Sequence, residues 1–201
     1  MKAKHVKLKI ANYTYRWTIK YAKLKKYDIA NGEGVRVSLY VTGCNHHCKG
    51  CFNSEIWDFT SGEDFTKDTI NEIITDLDKP YITGLTLLGG EPLEEVNQQG
   101  ILPLLKKVKE LLPNKTIWLY SGFTYEQIQK MPFKETNEIL KIIDVLVDGK
   151  FEEDLFDANL YFRGSSNQRI IDIPKSIKEN KIVLHEKNKK KELIKLWMLK
   201  I

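Results

Sequence analysis

The chain predicts an α/β fold, an open, partial (β/α) barrel built on a mainly parallel sheet. Three observations carry this. Apolar runs of strand length alternate with stretches of helical periodicity, the pattern of parallel strands joined by right-handed crossovers. Four such strands are readable and a fifth is a candidate, too few for a closed eight-stranded barrel of about 250 residues. The chain has 201 residues, 42% of them hydrophobic, enough for one domain with a single core and too little for two.

The first strand is read at residues 35–41, where Val35, Val37, Leu39 and Val41 alternate with Arg36, Ser38 and Tyr40 ahead of Gly43. A loop holding all three cysteines follows at once. Ile70, Ile73, Ile74 and Leu77 recur at helical spacing, and the apolar run 85–88 then gives a strand stopped by Gly89-Gly90. Pro103 suits the first turn of a helix whose stripe is Leu104, Leu105, Val108, Leu111 and Leu112, and Pro113 ends it. Residues 117–120 read as the third strand. Thr124 with Gln127 three places on fits a capping box for a short helix carrying Ile128. Residues 142–147 read as the fourth strand, and 169–173 as the fifth candidate. No internal repeat is visible, and no low-complexity segment beyond a late lysine run.

Net charge is +5, with lysines gathered at Lys2, Lys4, Lys7 and Lys9 and again at Lys187, Lys189, Lys190 and Lys191. Such runs read first as solvated surface and second as docking sites for an acidic macromolecule. Tyr13, Tyr15 and Trp17 alternate as one face of a strand does; a stacking platform for bases is the rarer reading, so nucleic acid is not the expected partner. Three cysteines without a signal-peptide pattern point to a reducing compartment, the cytoplasm. No apolar run approaches the ~20 residues needed to span a bilayer, and no membrane partner is expected.

The polar clusters all fall just after strands, at residues 44–51, 89–92, 121–124 and 148–150. In parallel α/β sheets ligands bind at the carboxyl ends of strands, so four motifs converge on one site, with Ser121 among them. Cys44, Cys48 and Cys51 are separated by three and then two residues. A four-iron cubane needs four outer ligands, so three thiolates hold it and leave one iron open to a substrate or cofactor. Zinc bound as Cys3His with His46 or His47 is the alternative, although adjacent histidines in so tight a loop are poorly placed to turn inward. Gly89-Gly90-Glu91-Pro92 marks a strand end turning into a helix. Its bare backbone lets a ligand come close, and Glu91 offers a charge suited to an ammonium or sulfonium. Asp148 and Lys150 flank Gly149 and read either as a solvated pair or as a grip on an amino-acid or ribose group. Residues 163–168 are a polar turn by composition.

These motifs together resemble the radical S-adenosylmethionine enzymes. More narrowly, Asn31-Gly32-Glu33-Gly34, Thr42-Gly43-Cys44-Asn45, Lys49-Gly50-Cys51-Phe52-Asn53, Trp57, Asp148-Gly149-Lys150 and Arg163-Gly164-Ser165-Ser166-Asn167-Gln168 are similar to the activating proteins of anaerobic (class III) ribonucleotide reductase. The likeness runs from about residue 21 to 173. It implies a single domain of the radical S-adenosylmethionine type over 1–201, with its core at about 21–174, a basic N-terminal extension 1–20 and a lysine-rich C-terminal extension 175–201. It further implies a 4Fe-4S cluster on Cys44, Cys48 and Cys51, whose open iron takes the methionine end of S-adenosylmethionine. Gly89, Gly90 and Glu91 then match the segment at the cofactor's amino group, and Gly50 and Phe52 the contacts near its adenosine. Asp148 and Lys150 resemble a cofactor-binding pair of the related pyruvate formate-lyase activating enzyme.

The activity so implied is reductive cleavage of S-adenosylmethionine to a 5′-deoxyadenosyl radical. That radical takes a hydrogen from one glycine of the large catalytic subunit of the reductase and leaves a glycyl radical there. A low-potential electron donor such as flavodoxin is the second partner. No general base is needed, and an open barrel gives the partner's glycine a way in. Residues 193–199 read as an amphipathic helix that packs on the domain or binds the reductase. The competing functions are a small-molecule radical enzyme of the deazapurine-synthase kind and a zinc-bearing nucleic-acid-binding module.

Overall fold

The computed structural model describes residues 19–188, so the aromatic alternation at Tyr13, Tyr15 and Trp17 and the stretch 193–199 lie outside the described residues. A seven-stranded open sheet runs in the order β3-β1-β2-β4-β5-β6-β7. Its centre is parallel: β2 (Val35–Val41), β4 (Ile82–Gly89), β5 (Thr116–Tyr120) and β6 (Val145–Asp148). The edges are antiparallel, with β1 (Lys20–Asp28) and the two-residue β3 (Glu63–Asp64) on one side and β7 (Arg169–Asp172) on the other. The sheet is therefore mixed around a parallel core. The fifth strand expected from the sequence exists but runs antiparallel, because no crossover helix separates it from β6.

The parallel strands are joined by α1 (Lys67–Leu77), α2 (Glu95–Leu111) and the pair α3 (Tyr125–Ile128) and α4 (Lys134–Ile142), and α5 (Ile173–Glu179) follows β7. Helix α1 opens on a capping box between Thr66 and Thr69, and α3 on the one expected between Thr124 and Gln127. Ile70, Ile73 and Leu77 of α1 join Leu104, Leu105 and Val108 of α2 against Val37, Leu39, Leu85, Leu87, Ile117 and Leu119, forming the main core on one face of the sheet.

Two element boundaries correct the sequence reading. Helix α2 begins at Glu95, so Pro103 stands inside it and not in its first turn. The early turns carry Asn97, Gln98 and Gln99, which show no apolar stripe, yet Asn97 and Gln98 are buried and hydrogen-bonded. Ile142 closes α4, and the strand starts only at Val145. Asp144 separates the two elements. Its carboxylate receives the Ile117 amide at 2.7 Å and the Lys109 ammonium at 2.8 Å, which pins the turn between helix and strand.

The opposite, concave face is lined by Trp118, Val145, Val147 and Ile170, with Tyr120 and Phe162 packed against them. Arg36 is fully buried on this side. Its guanidinium donates to Thr86 Oγ1, the Leu85 carbonyl, Thr116 Oγ1 and carbonyl, and the Glu33 carbonyl, and lies 5.5 Å from the Trp118 ring. Burial lowers its pKa to about 10, and it stays charged at neutral pH. Thr86 Oγ1 in turn donates to the Asn31 carbonyl at 2.8 Å, so the loop 29–34 is drawn onto the concave face.

Gly84 marks the closest approach within the parallel core. A Cβ there would lie 1.9 Å from the Thr116 carbonyl oxygen of the paired strand. Gly84→Ala is expected to cost about 3 kcal/mol, the upper end for overpacking, read as a lower urea midpoint with unchanged m. An unchanged midpoint would show that β4 and β5 separate freely.

Candidate active site

The carboxyl ends of the parallel strands are tied into one rim by backbone bonds. The Gly90 amide donates to the Val41 carbonyl and the Glu91 amide to the Gly43 carbonyl, both at 2.8 Å, so the end of β4 is laced to the end of β2. A Cβ on Gly90 would lie 2.4 Å from the Gly43 carbonyl oxygen, which is why this crossing needs glycine. Asn97, from the buried side of α2, donates to both the Thr42 and the Glu91 carbonyls, at 3.0 and 2.9 Å. The Cys44 amide donates to the Trp57 carbonyl at 3.0 Å, which folds the cysteine loop back over the rim.

All three cysteines are free thiols on one cavity wall. Cys44 is buried and Cys48 and Cys51 are half-buried. Burial pushes the Cys44 thiol up to about 11, with the negative charge of Glu91 adding to it and the His46 amide, which donates to the sulfur, opposing it. Cys48 is also raised, first by burial; the Phe151 amide and the Lys150 ammonium counter it. The Asn53 amide donates to the Cys51 sulfur at 3.4 Å.

His46 and His47 have other engagements. His46 Nε2 lies 3.0 Å from Glu91 Oε2, and its ring meets Phe123 edge-on at 4.4 Å. The His47 ring lies 4.7 Å from that of Trp57. Among the described residues no three His, Cys, Asp or Glu side chains converge as one metal ion requires. The thiols of a cluster bind separate irons and stand wider apart than the ligands of a single ion, so a loop of this kind suits a cubane better than Cys3His zinc.

Glu91 is fully buried, and both of its oxygens are occupied by protein groups. Oε1 accepts from Ser121 Oγ at 2.9 Å and the Leu93 amide at 2.8 Å; Oε2 accepts from the Gly122 amide at 2.7 Å and faces His46. Its carboxylate thus joins the loops after β2, β4 and β5, where the sequence suggested a charge turned toward a ligand. The Gly89 carbonyl accepts from Asn53 Nδ2 at 3.1 Å, a further link between the glycine turn and the cysteine loop.

A cavity of about 480 Å³ opens on this rim, a volume in the range of small-molecule sites. Of the residues singled out from the sequence, Cys44, Cys48, Cys51, Phe52, Gly89, Gly90, Glu91 and Ser121 line it. Gly50, Asp148 and Lys150 do not. Gly50 backs onto Glu153, to which Lys49 pairs at 2.8 Å. Asp148 is buried, accepts the Tyr125 amide at 2.7 Å and pairs with Arg169, which also grips Glu126. Hydrogen bonding to Arg169 holds the Glu126 carboxyl down at about 2. The aromatic mouth is Phe52, Phe151 and Phe156, with Phe52 5.0 Å from Phe151 and 66% exposed. The far wall is formed by Asn31, Tyr40, Tyr120, Phe162, Arg163 and Gln168. Tyr40 and Tyr120 lie on the concave-face positions of their strands, which a period of two does not distinguish from the core face.

A family model described as a 4Fe-4S single cluster domain matches residues 30–171. Three similar proteins carry the name anaerobic ribonucleoside-triphosphate reductase-activating protein. That of enterobacteria phage T4 is 43% identical over 150 residues, covering 75% of this chain and 92% of its own length. That of Pasteurella multocida is 42% identical over 152 residues, covering 75% and 95%. That of Escherichia coli K12 is 41% identical over 143 residues, covering 70% and 90%.

Proposed function

Because the chain belongs to the family of anaerobic ribonucleoside-triphosphate reductase-activating proteins and has a 4Fe-4S single cluster domain, we propose that it forms a glycyl radical on the large catalytic subunit of anaerobic ribonucleotide reductase. The observation that carries this is the shared cavity: three free thiols from the loop after β2 line it together with the bare glycine turn after β4. Cys44, Cys48 and Cys51 would hold a 4Fe-4S cluster, which would supply the one-electron reduction for cleaving S-adenosylmethionine and so for removing one hydrogen atom from a reductase glycine.

The chain's own groups shape the site and hold the reactants in place. Buried Glu91 keeps the cysteine loop and the glycine turn in register. Gly89 and Gly90 bring backbone to the ligand without side chains between. Phe52, Phe151 and Phe156 shield the mouth and offer a ring face to a purine. No side chain has to move a proton. The fold is read as the half-barrel of radical S-adenosylmethionine enzymes, whose open side admits a peptide. The chain is read as one cytoplasmic domain served by a low-potential donor such as flavodoxin. No helix among the described residues is long and apolar enough to cross a membrane.

The test is anaerobic loading of the full chain with iron and sulfide, then addition of reductant, S-adenosylmethionine and the reductase subunit. Iron bound in proportion to protein, 5′-deoxyadenosine release and a glycyl doublet in electron paramagnetic resonance are expected together. Iron and 5′-deoxyadenosine without the doublet would overturn the protein-substrate reading.

A further inference from the structure

Beyond α5 the chain turns back along β7. The Asp172 amide donates to the Val183 carbonyl at 2.9 Å and the His185 amide to the Ile170 carbonyl at 2.8 Å, with Leu184 bridged to Ile171. This segment, 183–188, lies past the residues 30–171 that the family model covers. Its side chains nevertheless reach two loops of the matched region. Lys187 Nζ lies 3.3 Å and His185 Nε2 3.6 Å from the Glu33 carboxylate, on the loop 29–34. Asn188 Oδ1 accepts from the Ile170 amide at 2.8 Å and from Arg163 Nη1, which also donates to the Gln168 carbonyl.

Both loops line the cavity, through Ala30 and Asn31 on one side and Phe162, Arg163, Gly164 and Gln168 on the other. Arg163 holds a second feature. Its Nε is buried with no hydrogen-bond partner, and so is the Tyr120 hydroxyl on the same wall. Buried donors left in this way call for an acceptor. Arg163 lines the cavity, and a guanidinium there suits a peptide carbonyl as its acceptor.

We propose that the segment 183–188 is a strap that sets the far wall of the cavity, with Asn188 a positioning residue that aims Arg163 at the backbone of the protein substrate. This rests on the activation reading given above. The guanidinium is planar and forked, so fixing Nη1 on Asn188 and on the Gln168 carbonyl fixes the plane of the whole group on the cavity wall. The strap acts on recognition of the reductase. Among the described residues the strap makes no hydrogen bond or ion pair with the cysteine loop, so cluster binding is expected to be independent of it.

The experiment uses the full-length, cluster-loaded chain and titrates the reductase subunit in the glycyl-radical assay. Iron content and 5′-deoxyadenosine release without reductase are measured beside it. Asn188→Ala is expected to raise the half-saturating reductase concentration about tenfold, the effect of one charge-assisted hydrogen bond, with iron content, uncoupled cleavage and the maximal rate unchanged. Asn188→Asp keeps the acceptor and is expected to stay within about twofold of wild type. In a double-mutant cycle, adding Asn188→Ala to Arg163→Ala is expected to do nothing further.

Additive effects of the two substitutions, or an unchanged half-saturation in Asn188→Ala, would overturn the proposal, as would a loss confined to iron content. If Asn188→Ala does not fold, Asn188→Asp and Arg163→Ala still decide. Wild-type half-saturation in Arg163→Ala removes the role. A wild-type protein that forms no glycyl radical on the reductase at any concentration refutes instead the activation reading.

Discussion

Cys48→Ala is expected to leave a folded protein that holds no cluster and forms no glycyl radical. Cys48 is half-buried on the cavity wall and contributes nothing to the core clusters of the sheet, so its loss does not open a cavity in the fold. It does remove one of three thiols, and no described histidine stands ready to replace it. His46 is held by Glu91, and His47 is packed against Trp57. Loss of a group that merely supports a metal ligand costs 10–100-fold, so loss of a ligand is expected to reduce radical yield by more than about a hundredfold. Visible absorption, iron per chain and the doublet amplitude check this, with a urea melt to confirm the fold. A doublet of wild-type amplitude would sink the assignment of Cys48 to the cluster.

Glu91→Ala is expected to damage stability and cluster retention together. The carboxylate receives the Leu93 and Gly122 amides and the Ser121 hydroxyl, and it faces His46; removing it leaves these groups without their shared acceptor. Breaking a buried charged partner of this kind costs about 3–5 kcal/mol. The loops after β2, β4 and β5 lose their shared anchor at the same time. Iron release to a chelator is therefore expected to speed up about tenfold even under conditions where the variant remains folded. Glu91→Gln keeps the volume but turns an amide toward existing donors, and an intermediate effect is expected. Normal iron retention in a destabilised Glu91→Ala protein would confine this residue to the fold.

The parts of the fold that local pattern reveals are those in which one face is core and the other is not. β2 alternates cleanly, and the stripe of α1 is regular. β1 was missed because register shifts between Tyr21 and Lys23 and between Lys25 and Asp28 break its period of two, and because four of its nine residues are lysine. α4 was missed because Ile139, Leu140, Ile142 and Ile143 merge with the strand that follows. α5 lay in a stretch read as extension.

The site divides along similar lines. Cys44, Cys48 and Cys51 are legible because the spacing proposed for cluster ligation falls within one loop, and Gly89-Gly90 because a close backbone crossing demands bare residues. The far wall was not legible as a wall. Asn31 and Arg163 belong to motifs that the resemblance brought out, but their meeting with Tyr120 depends on how the loops 29–34 and 149–168 fold over the concave face. Asp148 teaches the same lesson. Standing at a strand end places a side chain near the rim, while Arg169 and the Tyr125 amide decide that it points into the clamp on α3.

The Glu91 bracket has a consequence for a protein that meets air. The bonds that shape its seat run between protein groups, from Gly90 to Val41, from Asn97 to Thr42 and from Glu91 to Ser121 and Gly122. A chain that loses a bound cluster to oxygen is therefore expected to keep the shape of its seat. Restoring activity then takes reduction of the thiols and fresh iron and sulfide, without refolding.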